Sequence, residues 1–133
     1  MPKKGCLPVP NDRRIDVLTL LGDPTPMQAL LAQLRDEGIA VDVATNLADA
    51  RRLFFGSGGH DCLVVAPDIG PGLATRVLQS LRTVDPGLPT ATFGPDLRKA
   101  DAPTRTAMLA GFHPSSRAGA GALLRFLHAL QRR

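Results

Sequence analysis

The run Cys62-Leu63-Val64-Val65-Ala66 is apolar at every position, and this constrains the fold more than any other stretch of the chain. A strand with one wet face alternates apolar and polar residues. One that is apolar throughout must be covered on both sides, which is the situation of an interior strand in a parallel sheet held between two helical layers. The run therefore predicts a central strand and requires helices above and below it.

The flanking sequence supplies those helices. Ile15 to Leu21 reads as a second buried strand, ended by Gly22-Asp23-Pro24. A helix start follows, with Thr25 as N-cap, Pro26 at the first helical position and Gln28 completing a capping box. Its apolar stripe is Met27, Leu30, Leu31 and Leu34, and Gly38 is placed to end it. Ile39, Val41 and Val43 then alternate with Ala40 and Asp42, the period of a half-buried outer strand. Asn46 is set to cap a second helix that turns Ala50, Leu53 and Phe54 inward and stops in the Gly56-Ser57-Gly58-Gly59 cluster.

Beyond the central run, Pro67 to Gly72 reads as a loop. The helix after it uses Val77, Leu78 and Leu81 before Asp85-Pro86-Gly87 breaks it. Thr90 to Phe93 is a fourth strand, Asp101 to Ala110 reads as helical, and a weak fifth strand is expected within Phe112 to Ser116. A last helix, about Gly119 to Gln131, carries Leu123, Phe126, Leu127 and Leu130 on one stripe. Five strands alternating with five helices predict an α/β fold, a five-stranded parallel sheet with helices on both faces.

Charge divides the chain into a basic leader, residues 1–13, and a domain over 14–133. Met1 to Asn11 contains three prolines, two lysines and a glycine, and reads as a loose leader. Lys3, Lys4, Arg13 and Arg14 face only Asp12, and no acidic residue follows Asp101, so the net charge of +4 belongs to the two ends. With five Phe and no Trp or Tyr, an aromatic platform for single-stranded nucleic acid is poorly supported. Cys6 and Cys62 sit in unlike settings and read as reduced thiols of a cytoplasmic protein. His60, His113 and His128 lack the spacing of metal ligands, so no metal site is expected. No apolar run is long enough to span a bilayer, and the start lacks a signal-peptide core.

Three short stretches resemble the receiver domain of bacterial response regulators, over about residues 14–131. His60-Asp61-Cys62-Leu63-Val64-Val65 is similar to the approach to the phosphorylated aspartate. Leu81-Arg82 through Asp85-Pro86-Gly87-Leu88-Pro89 resembles the link between the third helix and fourth strand. Ala107-Met108-Leu109-Ala110-Gly111-Phe112 is similar to the stretch leading into the fifth strand. The resemblance implies a flavodoxin-like sheet of order 2-1-3-4-5.

The pocket residues depart from that pattern. The acidic pair that holds Mg²⁺ in receivers aligns with Leu21 and Gly22, leaving Asp23 as the carboxylate there, and one carboxylate does not make a Mg²⁺ site. The phosphoacceptor position is Ala66, the hydroxyl position at the end of the fourth strand is Gly94, and the lysine is missing, with Arg117 the nearest cation. Asp68, two residues past Ala66, is the one residue able to rescue phosphorylation. Without a metal the electrostatic stabilisation of phosphoryl transfer would be absent. The plainer expectation is a loop aspartate that hydrogen-bonds backbone or caps the next helix.

These residues point to a pseudo-receiver, not an enzyme and without a cofactor, that acts by binding a protein partner in bacterial signalling. The resemblance implies a contact face including Arg105, Phe112, His113, Arg117, Arg125 and His128, and a second copy of the chain is one candidate partner. The alternatives are a binder of a small anionic ligand such as a nucleotide, at the carboxyl end of the sheet, and an atypical receiver phosphorylated on Asp68. Neither Gly56 to Gly59 nor Gly70-Pro71-Gly72 forms a P-loop, since no Gly-Lys-Ser or Gly-Lys-Thr follows. Nucleic-acid binding is not favoured, because no helix-turn-helix segment follows the receiver-like part.

Overall fold

A computed structural model of the chain describes residues 14–97 and 106–131. The leader, residues 1–13, lies outside them. In chain order the elements are β1 (Asp16–Leu20), a 3-10 turn (Thr25–Met27) running into α1 (Gln28–Asp36), β2 (Ala40–Ala44), α2 (Leu47–Ser57), β3 (Cys62–Val65), α3 (Pro71–Arg82), β4 (Thr90–Thr92), β5 (Thr106–Met108) and α4 (Arg117–Gln131). The strands form one parallel sheet of order β2-β1-β3-β4-β5, which is the expected fold class.

The order fixes the layers. The chain steps one way from β1 to β2, then back across β1 to β3 and onward to β4, and right-handed crossovers put helices made on opposite steps over opposite faces. Accordingly α1 packs beside α4 and α2 beside α3. All four residues of β3 are buried, as its unbroken apolar run requires. Leu30, Leu31 and Leu34 of α1 and Leu123 and Leu127 of α4 belong to the same apolar cluster that takes in Val77, Leu78 and Leu81 of α3.

Local signals explain most of the boundaries. Gly38, at φ +84°, turns the chain out of α1 in a left-handed conformation that a side chain would disfavour. The Asn46 side chain accepts the Asp49 amide at 2.8 Å and so caps α2. The start of α1 is built differently from the expected capping box. Thr25 lies inside the 3-10 turn and caps nothing, while Asp23 Oδ1 accepts the Thr25 amide at 3.0 Å. Pro24 and Pro26 force this tighter entry by fixing φ on either side of Thr25. β2 takes the outer position expected of it, at the edge of the sheet, with Val41 half-buried, Val43 37% exposed and Ala44 buried.

The region after β4 departs most from expectation. Thr106–Met108, read as the end of a helix, is β5 and pairs in register with Thr90–Thr92. Three residues carry too little periodicity to declare a strand, and here the partner strand decides. Phe112–Ser116, expected as strand, is a pair of turns. Pro114 cannot donate to a ladder, and Ser116 Oγ donates to the His113 carbonyl while accepting the Gly119 amide at 2.9 Å. That serine cap starts α4 at Arg117, two residues before the expected Gly119. Residues 98–105, which include Arg105 and most of the helix expected over 101–110, lie outside the described residues. Among those described there are four α-helices and the 3-10 turn, against five helices expected.

Candidate functional site

The switch in strand order falls between β1 and β3, where the connections leave in opposite directions and open a crevice at the carboxyl ends of the strands. Three loops meet there: Leu21-Gly22-Asp23 after β1, Ala66-Pro67-Asp68 after β3 and Phe93-Gly94-Pro95 after β4. The Ala66 amide donates to the Leu20 carbonyl at 2.9 Å and the Phe93 amide to the Val65 carbonyl at 2.9 Å, so sheet pairing runs to the base of all three.

Asp68 ties the first two loops together. Its carboxylate accepts the Asp23 amide at 2.7 Å and the Gly22 amide at 3.3 Å, across 45 and 46 residues of sequence. It therefore binds backbone, though not local backbone, and it does not cap α3, whose N-cap is Gly70 without a side-chain bond. A methyl group on Gly22 would stand 2.6 Å from Asp68 Oδ2, so glycine leaves the space the carboxylate fills. Asp23 is turned away from this tie. Its carboxylate accepts from Thr25, and the Thr25 amide, then the Thr25 hydroxyl, hold its pKa below the usual aspartate value.

The third loop closes on the second. A methyl group on Gly94 would lie 2.7 Å from the Pro67 carbonyl oxygen and 2.8 Å from Pro67 Cα. Backbone thus occupies the space where a side chain at position 94 would project. The turn is held by Thr92, whose hydroxyl accepts the Gly94 amide at 3.2 Å and donates to the Pro95 carbonyl at 2.9 Å. Ala66 is fully buried beneath these loops.

Of the residues singled out by sequence, Asp23, Ala66, Asp68 and Gly94 line one crevice. Arg117 opens α4, is exposed, and makes no hydrogen bond or ion pair to them among the described residues. Of the candidate contact residues, Phe112 is 38% exposed, and His113, Arg125 and His128 are exposed too. Arg125 and His128 are three residues apart on α4 and share a face. His113 Nδ1 accepts the Ser115 amide at 3.1 Å and lies 2.6 Å from Ser115 Oγ, within the turn that precedes α4. No group of three or more His, Cys, Asp or Glu among the described residues is placed to hold a metal ion, and no described helix is long and apolar enough to cross a membrane.

Two features were not anticipated from sequence: the Pro67 backbone against Gly94, and a buried His60 whose Nε2 meets Asp42 Oδ2 at 2.8 Å. Glycine at 22 and 94 was the available signal for close approach, although nothing in sequence says what approaches.

No family model and no curated protein matches the chain. Solved structures do. A two-component response regulator from Clostridium difficile superposes with a TM-score of 0.67 at 19% identity, over 90% of this chain and 98% of that one. A response regulator receiver protein from Sinorhizobium medicae gives 0.69 at 15%, covering 90% and 95%. A chemotaxis response regulator of Vibrio cholerae gives 0.62 at 15%, covering 89% and 99%. At such identities the likeness is one of fold, and the fold is that of response-regulator receivers.

Proposed function

We propose that this chain is a degenerate receiver that signals by binding a protein partner, without accepting a phosphoryl group. The observation that carries this reading is the engagement of Asp68. A carboxylate that is to attack phosphorus needs an oxygen free in the crevice and a cation beside it. Asp68 instead holds two amides of the β1 loop, Ala66 stands at the acceptor position, and Pro67 backbone fills the space beside Gly94. The crevice works as a fastening between loops.

The same tie weighs against the crevice as a receptor for a nucleotide or another small anion. Backbone amides at such a loop are what an anion would use, and Asp68 already occupies them as an internal anion. A ligand phosphate would have to displace a covalently tethered competitor.

The contact face is then the region of the exposed Phe112 and the outer side of α4, with Arg117, Arg125 and His128 presenting positive charge and hydrogen-bond donors. An exposed aromatic and arginines suit the composition of interface anchors, and a second copy of the chain is one partner of suitable chemistry.

Incubation with acetyl phosphate and Mg²⁺ followed by intact-mass spectrometry tests the chemical half of the reading. The mass should stay unchanged, and an acyl-phosphate adduct that disappears in Asp68→Asn would overturn it. The binding half is tested by affinity capture: Arg125→Ala combined with His128→Ala should lose the partner that the unaltered chain retains, and undiminished capture would move the interface elsewhere.

A further inference from the structure

The end of α2 and the turn after α3 lie side by side where the strands begin, at the opposite end of the sheet from the crevice. Phe55 and Val84 stand exposed there, at 41% and 64%. They are two of the four exposed large apolar residues among those described; the other two, Val43 and Phe112, belong to β2 and to the turn after β5. Both line one pocket of about 560 Å³. A lone exposed valine needs no explanation, whereas an aromatic and an aliphatic residue bordering one concavity form a contact surface with a knob and a hole. The Phe55 ring is fixed in place: Phe54 packs against it edge to face, 5.7 Å between centroids, and the Arg51 guanidinium lies over it at 5.0 Å. An anchor held this way has little rotamer freedom left to lose on binding.

Charge is ordered along the same strip. Arg51 lies one helical turn before Phe55 and donates to Ser80 Oγ, in the last turn of α3 ahead of Val84. Past Phe55 and Val84 come Asp85 and then Asp16, at the end where β1 begins. The strip thus runs from a cation through an apolar patch to carboxylates. Arg52 is matched on its own helix by Asp49 at 3.3 Å. Arg51 has no carboxylate partner among the described residues, and the Asp85 carboxylate has no cation there.

A strip ordered this way complements itself when turned end for end. A two-fold axis through the apolar patch brings Arg51 of each copy to Asp85 of the other and Val84 of each copy to the other's pocket, the self-complementary geometry of an isologous contact. A different partner would have to carry the reversed pattern, which a second copy has by construction.

We propose that two copies of the chain pair isologously through this end of α2 and α3, with Phe55 and Val84 at the centre and Arg51 to Asp85 pairs on either side. The surface lies on the opposite face of the sheet from α4 and at the opposite end from the crevice, so the inference does not rest on the receiver reading.

Sedimentation equilibrium of the full chain tests it, and should show reversible dimerisation between about 10 µM and 1 mM, the weak range of a small interface. Val84→Lys, at an exposed site past the end of α3, should weaken the dimer by about tenfold or more, and so should Arg51→Glu or Asp85→Lys alone, which sets like charges opposite each other. The decisive arm mixes the Arg51→Glu chain with the Asp85→Lys chain. Two-fold pairing restores both charge contacts in the mixed dimer, so association missing from either variant alone should return, which also shows that both variants fold. Arg125→Ala with His128→Ala should leave dimerisation unchanged, whatever those changes do to partner capture. A chain that stays monomeric at the highest of these concentrations, a dimer indifferent to Val84→Lys, a mixture no better than its parts, or a dimer lost through the α4 changes would overturn the proposal. So would a monomer in which Val84→Lys shifts the amides of residues 1–13, since the chain's own leader would then cover this surface.

Discussion

Replacing Gly94 by alanine puts the closed crevice to a direct physical test. The added methyl group would sit 2.7 Å from the Pro67 carbonyl oxygen, 2.8 Å from its Cα and 3.0 Å from its carbonyl carbon. Comfortable contacts between carbon atoms begin near about 3.5 Å, so the overlap is of the order of 0.7 Å. All three atoms are backbone of one proline, and none can rotate aside. Overpacking of this kind costs about 1–3 kcal/mol, and the rigid obstacle argues for the upper half of that range. Gly94 does not have a positive φ, so alanine adds no backbone strain, and the smaller entropy of its unfolded chain returns roughly 0.4–1 kcal/mol. The net loss is then about 1.5 kcal/mol. With a urea slope of about 1–3 kcal/mol per molar, the denaturation midpoint should fall by roughly 0.5–1.5 M. Gly72→Ala is the matched control. Gly72 lies in the first turn of α3 with nothing within 4 Å of a methyl group, so the same exchange there should raise stability by about 0.5–1 kcal/mol. A Gly94→Ala midpoint equal to or above that of the parent chain would refute the claim that backbone fills this space.

Gly22→Ala forces the methyl group against Asp68 Oδ2, so its cost should largely vanish in an Asp68→Ala background; a double-mutant cycle by urea denaturation should give a coupling of about 1 kcal/mol, and simple additivity would deny the tie. Thr19 is fully buried with a hydroxyl that has no partner among the described residues. Thr19→Val keeps the shape and removes that polar atom, so it should stabilise by about 1 kcal/mol, read as a higher melting temperature; a lower one would mean the hydroxyl is satisfied. Burial pushes the Cys62 thiol well above the ordinary cysteine pKa, so in a Cys6→Ser chain a thiol reagent should label Cys62 only as fast as the fold opens, and rapid labelling of the folded chain would contradict its burial.

What could be read in the chain, and what could not, divides along sequence distance. Gly38 and Asn46 act on residues within a turn of themselves, and their expected roles match the geometry found. The unbroken Cys62–Val65 run needed cover on both faces whatever supplied it, and it sits buried between β1 and β4. Thr106–Met108 has no such internal demand. It is a strand because Thr90–Thr92 lies beside it, and a three-residue segment holds no pattern from which that neighbour could be inferred. The crevice follows the same logic in sharper form. Sequence alone shows a methyl at Ala66 and hydrogen at Gly94, because each is a property of one position. What occupies the space around them depends on residues 27, 45 or 46 positions apart: Pro67 backbone pressed under Gly94, and Asp68 reaching the amides of Asp23 and Gly22. The fastening is visible only once the loops are in contact. On the reading proposed above, a carboxylate that holds two loops together has a structural reason to be acidic whether or not a phosphoryl group is ever accepted.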